Sequence, residues 1–430
     1  MLQLGLLPLG QRSVSFRDGR REFKLVHISD THYHHSSSCY DIPMATPCTH
    51  MNTTSFIKEV IATEDPDIIV FTGDAIDGHS ASVKQARADM DEIYSVSGAR
   101  PFAAILGNHD GEAALSRDAQ LQYLESRPHS LVTLNQGHSN NFVDVVSETS
   151  GPPLARLWLL DSHLDNGAAL SITDEQGLWL AKTAALNPPV PSLLFFHVPM
   201  AEYLEALDSG APISGMYNEP VSADKPNPQL FSTILNSLGS DWVAGFCGHD
   251  HTNDFCVEYK GVQLCYSGSP GFTAYGNSSL SSGGRRVRVT ELRRCQDGAL
   301  CEVLSWKRLA SEGRAGGVAD LERLWVRGRS DKTHTRWIVP QQLAKLAKDI
   351  PQYAGSDGVM QRPELAALLK EKLHSNASEA LHALWRELDL DRSGQISVDE
   401  FRRATSLGPG RHPPAIPAPT PSTTSVDAHH

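Results

Sequence analysis

The first 300 residues of the sequence predict an α/β fold, and a smaller helical region is predicted after them. Short apolar runs alternate with helical segments, and each run is nearly all apolar, which is typical of strands buried on both faces. The strand-like runs cover residues 23–29, 67–72, 102–106, 157–160, 192–196 and 242–246. The helical segments between them cover residues 54–63, 83–96, 116–126 and 174–185. This alternation favours sheets covered by helices.

Later segments divide the rest of the chain. Residues 254–259 and 262–266 flank Lys260-Gly261 and predict a hairpin, and residues 285–292 and 301–309 predict further strands. The predicted domains are an α/β domain at 1–310, a Gly- and Arg-rich linker at 311–335, a helical pair at 336–408 and a disordered Pro/Ser/Thr-rich tail at 409–430. Within residues 336–408, helices are predicted at 340–350, 362–374 and 378–388.

The charge balance limits the partners of the chain. The 430 residues carry 50 acidic and 38 basic side chains, for a formal net charge of -12. This excess of negative charge argues against general attraction to nucleic acid or to anionic membrane surfaces. No apolar run approaches the roughly 18–20 residues that span a bilayer. The apolar first ten residues lack a basic region and do not decide the compartment.

Cysteine spacing favours an oxidising compartment. Six of the seven cysteines form three closely spaced pairs, which are Cys39/Cys48, Cys256/Cys265 and Cys295/Cys301, with Cys247 left over. Such short spacings are typical of disulfides, so a secreted or lumenal protein is predicted. Glycosylation sequons at Asn52, Asn277 and Asn376 add modest support for a glycoprotein. The alternative is a cytoplasmic protein with seven reduced thiols.

Polar motifs follow five of the predicted strands. They are Asp30-Thr31-His32, Gly73-Asp74, Gly107-Asn108-His109-Asp110, His197 and Gly248-His249-Asp250-His251. Ligand sites in open α/β sheets lie beyond the carboxyl ends of strands, so these motifs can meet in one crevice. Carboxylate, imidazole and amide oxygen are ligands for zinc, manganese or iron, and a shared carboxylate can hold two metals about 3.5–4 Å apart. Any one motif is weak evidence, but the ordered set predicts a binuclear metal site.

This order of motifs resembles the calcineurin-like metallophosphoesterase superfamily over residues 23–309. The resemblance is closest to purple-acid-phosphatase-like proteins that lack the tyrosine ligand, and it includes residues 48–54, 195–199 and 248–256. It implies a four-layer α/β/β/α sandwich with the metals at one edge. It also implies hydrolysis of small phosphate esters, monoesters first and diesters as well.

The resemblance also implies a role for each motif residue. It implies three ligands for each cation and one bridge: Asp30, His32 and His251 for the first, Asn108, His197 and His249 for the second, and Asp74 between them. His109 is expected to protonate the leaving oxygen, or to stabilise charge in the transition state, with Asp110 orienting its ring. The expected nucleophile is a hydroxide held between the metals.

The chain departs from two branches of this superfamily. Protein phosphatases of the calcineurin type carry an arginine soon after the bridging aspartate, and residues 73–79 contain none. Purple acid phosphatases carry a tyrosine ligand where this chain has Asp77, so a ferric–tyrosinate centre is not expected. Some members that lack this tyrosine are called inactive. Because the other ligands are present here, an active enzyme is expected.

A calcium-binding loop is predicted near the C-terminus. Residues 389–400 fit the twelve-residue EF-hand frame, in which Gly394 makes the sharp turn. The predicted calcium ligands are Asp389, Asp391, Ser393, the carbonyl of Gln395 and Glu400. Residues 353–364 match the frame poorly and are expected to be a degenerate partner loop, with which Ile396 pairs. The sequence therefore predicts an all-α EF-hand pair that holds Ca²⁺ in one loop.

Two other functions fit the same residues. One is an intracellular calcium-regulated phosphatase acting on phosphoproteins or nucleotides, which requires reduced cysteines and unglycosylated sequons. The other is a calcium-dependent binding protein with a vestigial metal site. The intact ligand set and the intact His109 argue against this second alternative.

Overall fold

The computed structural model describes most of the first 328 residues and two short segments beyond them. The described residues are 13–35, 38–42, 48–79, 82–133, 140–148, 151–162, 172–223, 227–311, 314–328, 359–360 and 396–397. The chain divides into two units, residues 1–334 and residues 335–430. Within the described residues, no helix is both long and apolar enough to cross a membrane.

The first unit alternates strands and helices along the chain. Its strands are β1 Ser13–Ser15, β2 Glu22–Ile28, β3 Ile68–Thr72, β4 Phe102–Ile105, β5 Asn141–Val146, β6 Pro153–Leu159, β7 Ser192–Phe195, β8 Ile213–Ser214, β9 Trp242–Cys247, β10 Cys256–Tyr259, β11 Val262–Tyr266, β12 Arg286–Arg294, β13 Leu300–Ser311 and β14 Arg314–Val326. Its α-helices are α1 Met51–Glu64, α2 Val83–Tyr94, α3 Arg117–Glu125, α4 Asp174–Ala185, α5 Glu202–Asp208 and α6 Pro228–Leu238.

Helix starts in this unit follow local sequence signals. Thr173 accepts a hydrogen bond from the backbone of Gln176, and the Gln176 side chain accepts one from the Thr173 backbone, which forms a capping box at α4. Helix α6 begins with Pro228 directly after the Asn227 cap. These caps satisfy backbone N–H groups that have no partner inside the helix.

The strands form two mixed sheets. The six-stranded sheet has the order β14-β13-β12-β2-β3-β4, in which β2, β3 and β4 are parallel. The eight-stranded sheet has the order β1-β5-β6-β7-β9-β11-β10-β8, in which β6, β7, β9 and β11 are parallel. The carboxyl ends of these parallel strands supply the loops that carry the predicted motifs.

Three apolar cores separate four layers. Side chains from both sheets, such as Leu25 and Phe195, pack together in the core between the sheets. Helices α1–α3 cover the other face of the six-stranded sheet, where Val26 packs with Phe56. Helices α4–α6 cover the other face of the eight-stranded sheet, where Trp158 packs with Leu180. The predicted α/β class with two sheets is confirmed.

The predicted linker is wrong where the structure forms β14. Residues 314–326 pair antiparallel with β13 through three register shifts. Bulges disrupt the alternation of inward and outward side chains, and Gly316-Gly317 adds no apolar signal, so the period of the strand is not visible in the sequence. The six-stranded sheet therefore extends past the predicted domain end at residue 310.

Two of the three predicted disulfides are formed. Cys39 is bonded to Cys48, and Cys256 is bonded to Cys265 across the β10–β11 hairpin. Cys295 and Cys301 are free thiols, so the third predicted bond is absent. Cys295 directly follows β12, and Cys301 is the second residue of β13. Cys247 is a free, buried thiol, as predicted.

The described part of the second unit is one small ladder. Strand β15 (Val359–Met360) pairs antiparallel with β16 (Ile396–Ser397), and Met360 lies opposite Ile396. The predicted EF-hand helices and the disordered tail lie outside the described residues. So do Asp389, Asp391, Ser393, Gln395, Glu400 and the sequon at Asn376.

Candidate metal centre

The predicted ligands meet where the two sheets present the carboxyl ends of their parallel strands. Loops after β2, β3 and β4 carry Asp30, Asp74 and Asn108, and loops after β7 and β9 carry His197 and His249. The geometry of the side chains divides them into two groups of close donor atoms.

The first group contains Asp30, His32 and His251. The Nε2 atoms of His32 and His251 lie 3.1 Å apart. His251 Nε2 lies 3.5 Å from Asp30 Oδ1, and His32 Nε2 lies 3.4 Å from Asp74 Oδ2. Ligand atoms at about 2.0–2.2 Å from one zinc ion are separated by distances of this size. These three side chains therefore have the spacing of one cation site.

The second group contains Asp74, His197 and His249, with Asn108 between the two imidazoles. Asn108 Oδ1 lies 3.0 Å from both His197 Nε2 and His249 Nδ1. His197 Nε2 also lies 3.1 Å from Asp74 Oδ2. Because the same Asp74 oxygen also faces His32, Asp74 lies between the two groups, where a bridging carboxylate belongs.

Four of these ligand candidates adopt a left-handed backbone conformation. Asp30, His32, Asp74 and His249 have φ angles of 53°, 39°, 50° and 72°. For residues other than glycine this conformation costs on the order of 1–3 kcal/mol each, and it clusters at functional sites. Backbone hydrogen bonds join the two loops, since Asp30 N donates to Gly73 O and His32 N donates to Asp74 O at 3.0 Å.

Two glycines are required by close approach. A Cβ atom on Gly107 would overlap the Asp74 carboxylate, and one on Gly248 would overlap Ser29 Oγ and Asp30 Oδ2. Any larger residue would therefore displace a ligand candidate or its immediate partner. This explains why glycine precedes Asn108 and His249 in the two motifs.

Hydrogen bonds fix which ring nitrogen faces the crevice. His197 Nδ1 donates to the Thr72 carbonyl at 2.9 Å, and His251 Nδ1 donates to the Tyr275 carbonyl at 3.2 Å. In both rings it is therefore Nε2 that faces the other ligand atoms. Partners of this kind are typical of metal-binding histidines. Ser162 Oγ also accepts the backbone N–H groups of His197 and Val198.

Asp110 does not orient His109, contrary to the prediction. Its carboxylate is fully buried and accepts four backbone N–H groups, from Asp74 at 2.8 Å, Ala75 at 3.1 Å, Ile76 at 3.2 Å and Gly107 at 2.8 Å. These four donors use both carboxylate oxygens, and the partner of His109 Nδ1 is a different residue. Asp110 therefore holds the turn of Asp74 against the loop of Asn108.

Glu112 makes the contact that was expected of Asp110. His109 Nδ1 lies 2.7 Å from Glu112 Oε2, one turn later on a 3₁₀ helix that spans His109–Glu112. The His109 side chain is 37% exposed, so it can reach a substrate. The backbone N–H of His109 donates to Asp74 Oδ1 at 2.8 Å.

Asp77 contacts a histidine outside the two groups. Its Oδ1 accepts the backbone N–H of His79 at 2.9 Å and lies 2.8 Å from His79 Nδ1. Burial tends to raise the pKa of Asp77, but the His79 hydrogen bonds outweigh it and lower that pKa. This arrangement agrees with the expectation that Asp77 is a loop residue rather than a ligand.

The titratable groups in the crevice shift one another's pKa values strongly. Burial raises the pKa of Asp30 to about 6, although His197 opposes the shift. Burial tends to lower the pKa of His197, but the Asp74 and Asp30 carboxylates outweigh it and raise that pKa to about 10. Burial and the His197 charge lower the pKa of His249 to about 4. Buried groups that compete for protons in this way are typical of sites where cations replace the protons.

The surroundings of Asp74 Oδ2 indicate whether cations fit in this crevice. Asp74 Oδ2 is buried and accepts no hydrogen bond of good geometry from the described residues. It faces His32 Nε2 and His197 Nε2, while Asn108 Oδ1 faces two imidazoles. A buried carboxylate oxygen without a donor is costly unless a cation or a proton is present. The nitrogen and oxygen donors fit zinc, manganese or iron.

Sequence reasoning missed the residues that hold the candidate site side chains in place. Glu112, Ser162 and Tyr275 contact His109, His197 and His251 respectively. Glu112 lies three residues after His109, so the sequence spacing alone could have placed both side chains on one helical turn. The other two come from distant segments, and no local signal marks them.

Known proteins resemble this chain over much of its length. The family model described as calcineurin-like phosphoesterase matches residues 23–253. The chain is 31% identical over 344 residues to the probable inactive purple acid phosphatase 29 of Arabidopsis thaliana, covering 71% of this chain and 86% of that protein. It is 30% identical over 360 residues to the probable inactive purple acid phosphatase 14 of the same plant, covering 74% of this chain and 87% of that protein.

A yeast relative carries the name of a phosphatase. The chain is 29% identical over 320 residues to the phosphatase DCR2 of Saccharomyces cerevisiae, covering 67% of this chain and 54% of that protein. The family model extends over more than half of the chain, and the plant relatives align over most of their own length. The chain belongs to the calcineurin-like phosphoesterase family.

Proposed function

We propose that this protein hydrolyses small phosphate esters, monoesters first and diesters as well, with two transition-metal cations. The observation that carries this proposal is the pairing of two ligand groups around Asp74, whose Oδ2 is buried without a hydrogen-bond donor. Two such cations would lower the pKa of a water held between them and would neutralise charge on the phosphate oxygens.

The ligand set divides as the family resemblance implies. Asp30, His32 and His251 would hold one cation, Asn108, His197 and His249 would hold the other, and Asp74 would contact both. Zinc, manganese and iron all suit these donors. The backbone strain at four of these residues supports a site that is held ready for its ligands rather than formed by them.

His109 is the proposed general acid. Its ring lies beside His32, with centroids 5.0 Å apart, so it borders the first cation group. Contact with Glu112 through Nδ1 leaves Nε2 free to donate a proton to the leaving oxygen. Asp110 acts indirectly, because it holds the Asp74 and Asn108 loops together.

The names of the plant relatives raise the question of activity. The ligand position that differs from purple acid phosphatases is Asp77, and its carboxylate contacts His79. Loss of a tyrosine ligand removes the colour of an iron centre, whereas Asp30, His32 and His251 still provide three donors for the first cation. We therefore propose an active hydrolase without ferric–tyrosinate chemistry.

Turnover of a chromogenic phosphomonoester and of the matching diester tests this function. Stripped protein is supplied with zinc, manganese or iron singly across pH 5–10, with an Asn108→Ala variant alongside. Activity that requires a transition metal and is lost in the variant supports the proposal. The control is Asn236→Ala, an exposed position on α6. No turnover with any metal overturns the proposal and favours the alternative of a vestigial site in a calcium-dependent binding protein.

The second unit is proposed to bind calcium. Met360 and Ile396 stand at the eighth position of the two loop frames, and they lie opposite each other in the β15–β16 ladder. This pairing supports an EF-hand pair in which Asp389, Asp391, Ser393, Gln395 and Glu400 hold one Ca²⁺. Calorimetric titration with Ca²⁺ tests it, with Glu400→Gln expected to abolish the binding event. Equal binding by the variant would remove calcium from the proposal.

A secreted or lumenal location is proposed from the two disulfides. Peptide mapping without reduction, on protein alkylated at lysis of its native cells, checks this. Free Cys39, Cys48, Cys256 and Cys265 would instead favour the cytoplasmic alternative and a calcium-regulated intracellular phosphatase.

A further inference from the structure

Tyr275 contacts the ligand candidate His251 with three different groups. The two rings are stacked, with centroids 3.8 Å apart and planes inclined by 15°. The Tyr275 carbonyl accepts the His251 Nδ1 hydrogen at 3.2 Å, and the Tyr275 hydroxyl accepts the His251 backbone N–H at 3.3 Å. The tyrosine is 42% exposed, although it covers a histidine that is only 5% exposed.

Glu219 holds the hydroxyl end of this tyrosine. Tyr275 Oη donates to Glu219 Oε2 at 3.0 Å, and Glu219 Oε1 accepts the Thr252 backbone N–H at 2.5 Å. The backbone carbonyl of Glu219 accepts a hydrogen bond from Asn253 Nδ2 at 3.0 Å. Glu219 thus connects Tyr275 to the two residues that follow His251.

Arg285 holds the backbone carbonyl of Tyr275 in place. Its Nη1 donates to the Tyr275 carbonyl at 2.5 Å, and its Nη2 donates to the Ala274 carbonyl at 2.5 Å. Arg285 is 1% exposed. The carbonyl that receives the His251 hydrogen is therefore fixed from behind by a buried charged donor, which makes a stronger hydrogen bond than a neutral one.

We infer that Tyr275 is a positioning residue that directs His251 Nε2 at the first cation. The stacked ring limits rotation of the imidazole, and the carbonyl selects the tautomer whose lone pair is on Nε2. Residues that orient metal-binding histidines typically contribute about 10–100-fold in metal affinity. The inference rests on the metal site of the proposed function, but it requires no turnover.

Metal titration of the stripped full-length protein tests this role. Isothermal calorimetry with Zn²⁺ and the visible spectrum with Co²⁺ give the two affinities without any substrate. Tyr275→Ala is expected to weaken one binding event by about 10–100-fold and to leave the other unchanged. Both variants keep the backbone carbonyl, but only Tyr275→Phe keeps the stacked ring, so it is expected to retain more affinity than Tyr275→Ala.

Two further variants separate positioning from general damage. Tyr217→Ala removes another exposed tyrosine, one that packs edge-on against Phe255, and it should leave both affinities unchanged. In a His251→Ala background, Tyr275→Ala should have no further effect on metal affinity, because the two side chains act through one contact. Thermal unfolding of the stripped variants checks that the fold persists.

The outcomes separate this inference from the proposed function. Unchanged affinities in Tyr275→Ala, or equal weakening of both binding events, would overturn the positioning role even if the enzyme turns over substrate. Selective loss of one binding event supports it even if no phosphate ester is hydrolysed. An additional loss in the His251→Ala background would also overturn it.

Discussion

Two buried clusters of charge in this protein differ in how their charges are satisfied. In the metal crevice Asp74 Oδ2 accepts no hydrogen bond of good geometry from the described residues, and imidazole nitrogens face it. A second cluster lies next to the loop that carries His249 and His251. In it, each buried charge has a partner of opposite sign. This cluster, the paired cluster, consists of Arg286, Arg288 and Lys307 with Asp254, Asp320 and Glu322.

The paired cluster fixes the segment that carries two ligand candidates. Asp254 Oδ2 accepts from Arg286 at 2.5 Å, and its Oδ1 accepts from Lys307 at 3.1 Å. Arg286 also donates to the Thr252 carbonyl at 3.2 Å, one residue after His251. The comparison teaches that burial of charge alone does not identify a ligand site. The crevice is recognised because carboxylate oxygens and imidazole nitrogens from several loops converge there at the spacing of metal ligands, whereas the paired cluster joins carboxylates to Arg and Lys side chains.

The largest expected effect comes from Asp74→Asn, which removes the shared charge but keeps the shape of the side chain. We expect turnover to fall to the detection limit and both cations to bind far more weakly. Changes to residues beyond the ligands already cost about 10–100-fold in affinity. Metal content after dialysis measures this, together with the rise in melting temperature that bound metal produces in the wild type. Asp118→Asn, at an exposed site on α3, is the control. Two tightly held cations in Asp74→Asn would contradict the assignment of Asp74 as the bridge.

His109→Asn sharpens the comparison, because it removes a group that borders the crevice but holds no cation. We expect a loss of about 10²–10⁴-fold in kcat for an alkyl phosphate with both cations retained. An aryl phosphate with a good leaving group needs less protonation and should lose less. Glu112→Gln should show the same dependence on the leaving group with a smaller loss. An equal loss on both substrates would argue against a general acid.

Lys307→Met tests the paired cluster. Burial lowers the pKa of Lys307 to about 8, although Asp254 opposes the shift. Removing one partner from a buried pair costs about 3–5 kcal/mol in the free energy of unfolding. Urea unfolding measures this cost, and two cations should still bind at saturation. Lys58→Met, from an exposed pair with Glu92 at 3.9 Å, should change the free energy of unfolding by less than about 1 kcal/mol. Loss of cations from Lys307→Met without loss of stability would break the distinction between the two clusters.

His27→Leu gives the smallest expected effect and concerns a buried polar group that belongs to neither cluster. His27 lies between Phe195 and Phe246, and its ring nitrogens have no hydrogen-bond partner among the described residues. Burial, with a contribution from Arg288, lowers the pKa of His27 well below 6.5. Below pH 6.5 the unfolded chain therefore binds a proton that the folded chain does not, so stability falls as the pH falls.

The contribution of His27 to this slope is at most about 1.4 kcal/mol per pH unit. Unfolding of the metal-loaded wild type and of His27→Leu, compared between pH 7 and pH 5, measures it. The variant should lose stability less steeply than the wild type. Parallel curves would show that His27 is protonated in both states or in neither.

The sequence predicted which side chains meet in the crevice better than it predicted their surroundings. Ligand chemistry resides in the side-chain type, and the carboxyl end of a parallel strand is visible as an apolar run followed by a polar motif. The sequence therefore indicated Asp30, Asp74 and His197 correctly as neighbours. Strand β14 was missed because bulges hide its period, and the role of Asp110 was misread because the family resemblance implied that it orients His109.

The sequence by itself determined the α/β class, the chemical types of the candidate cation ligands and the strand ends that carry them. Local patterns of apolar and polar residues are sufficient to predict these features. Only the tertiary structure decided that Asp110 accepts four backbone N–H groups, that Tyr275 stacks on His251 and that Lys307 faces Asp254. Each of these contacts joins segments that local patterns cannot relate, because strand pairing and the packing of loops at the sheet edge determine which distant side chains meet.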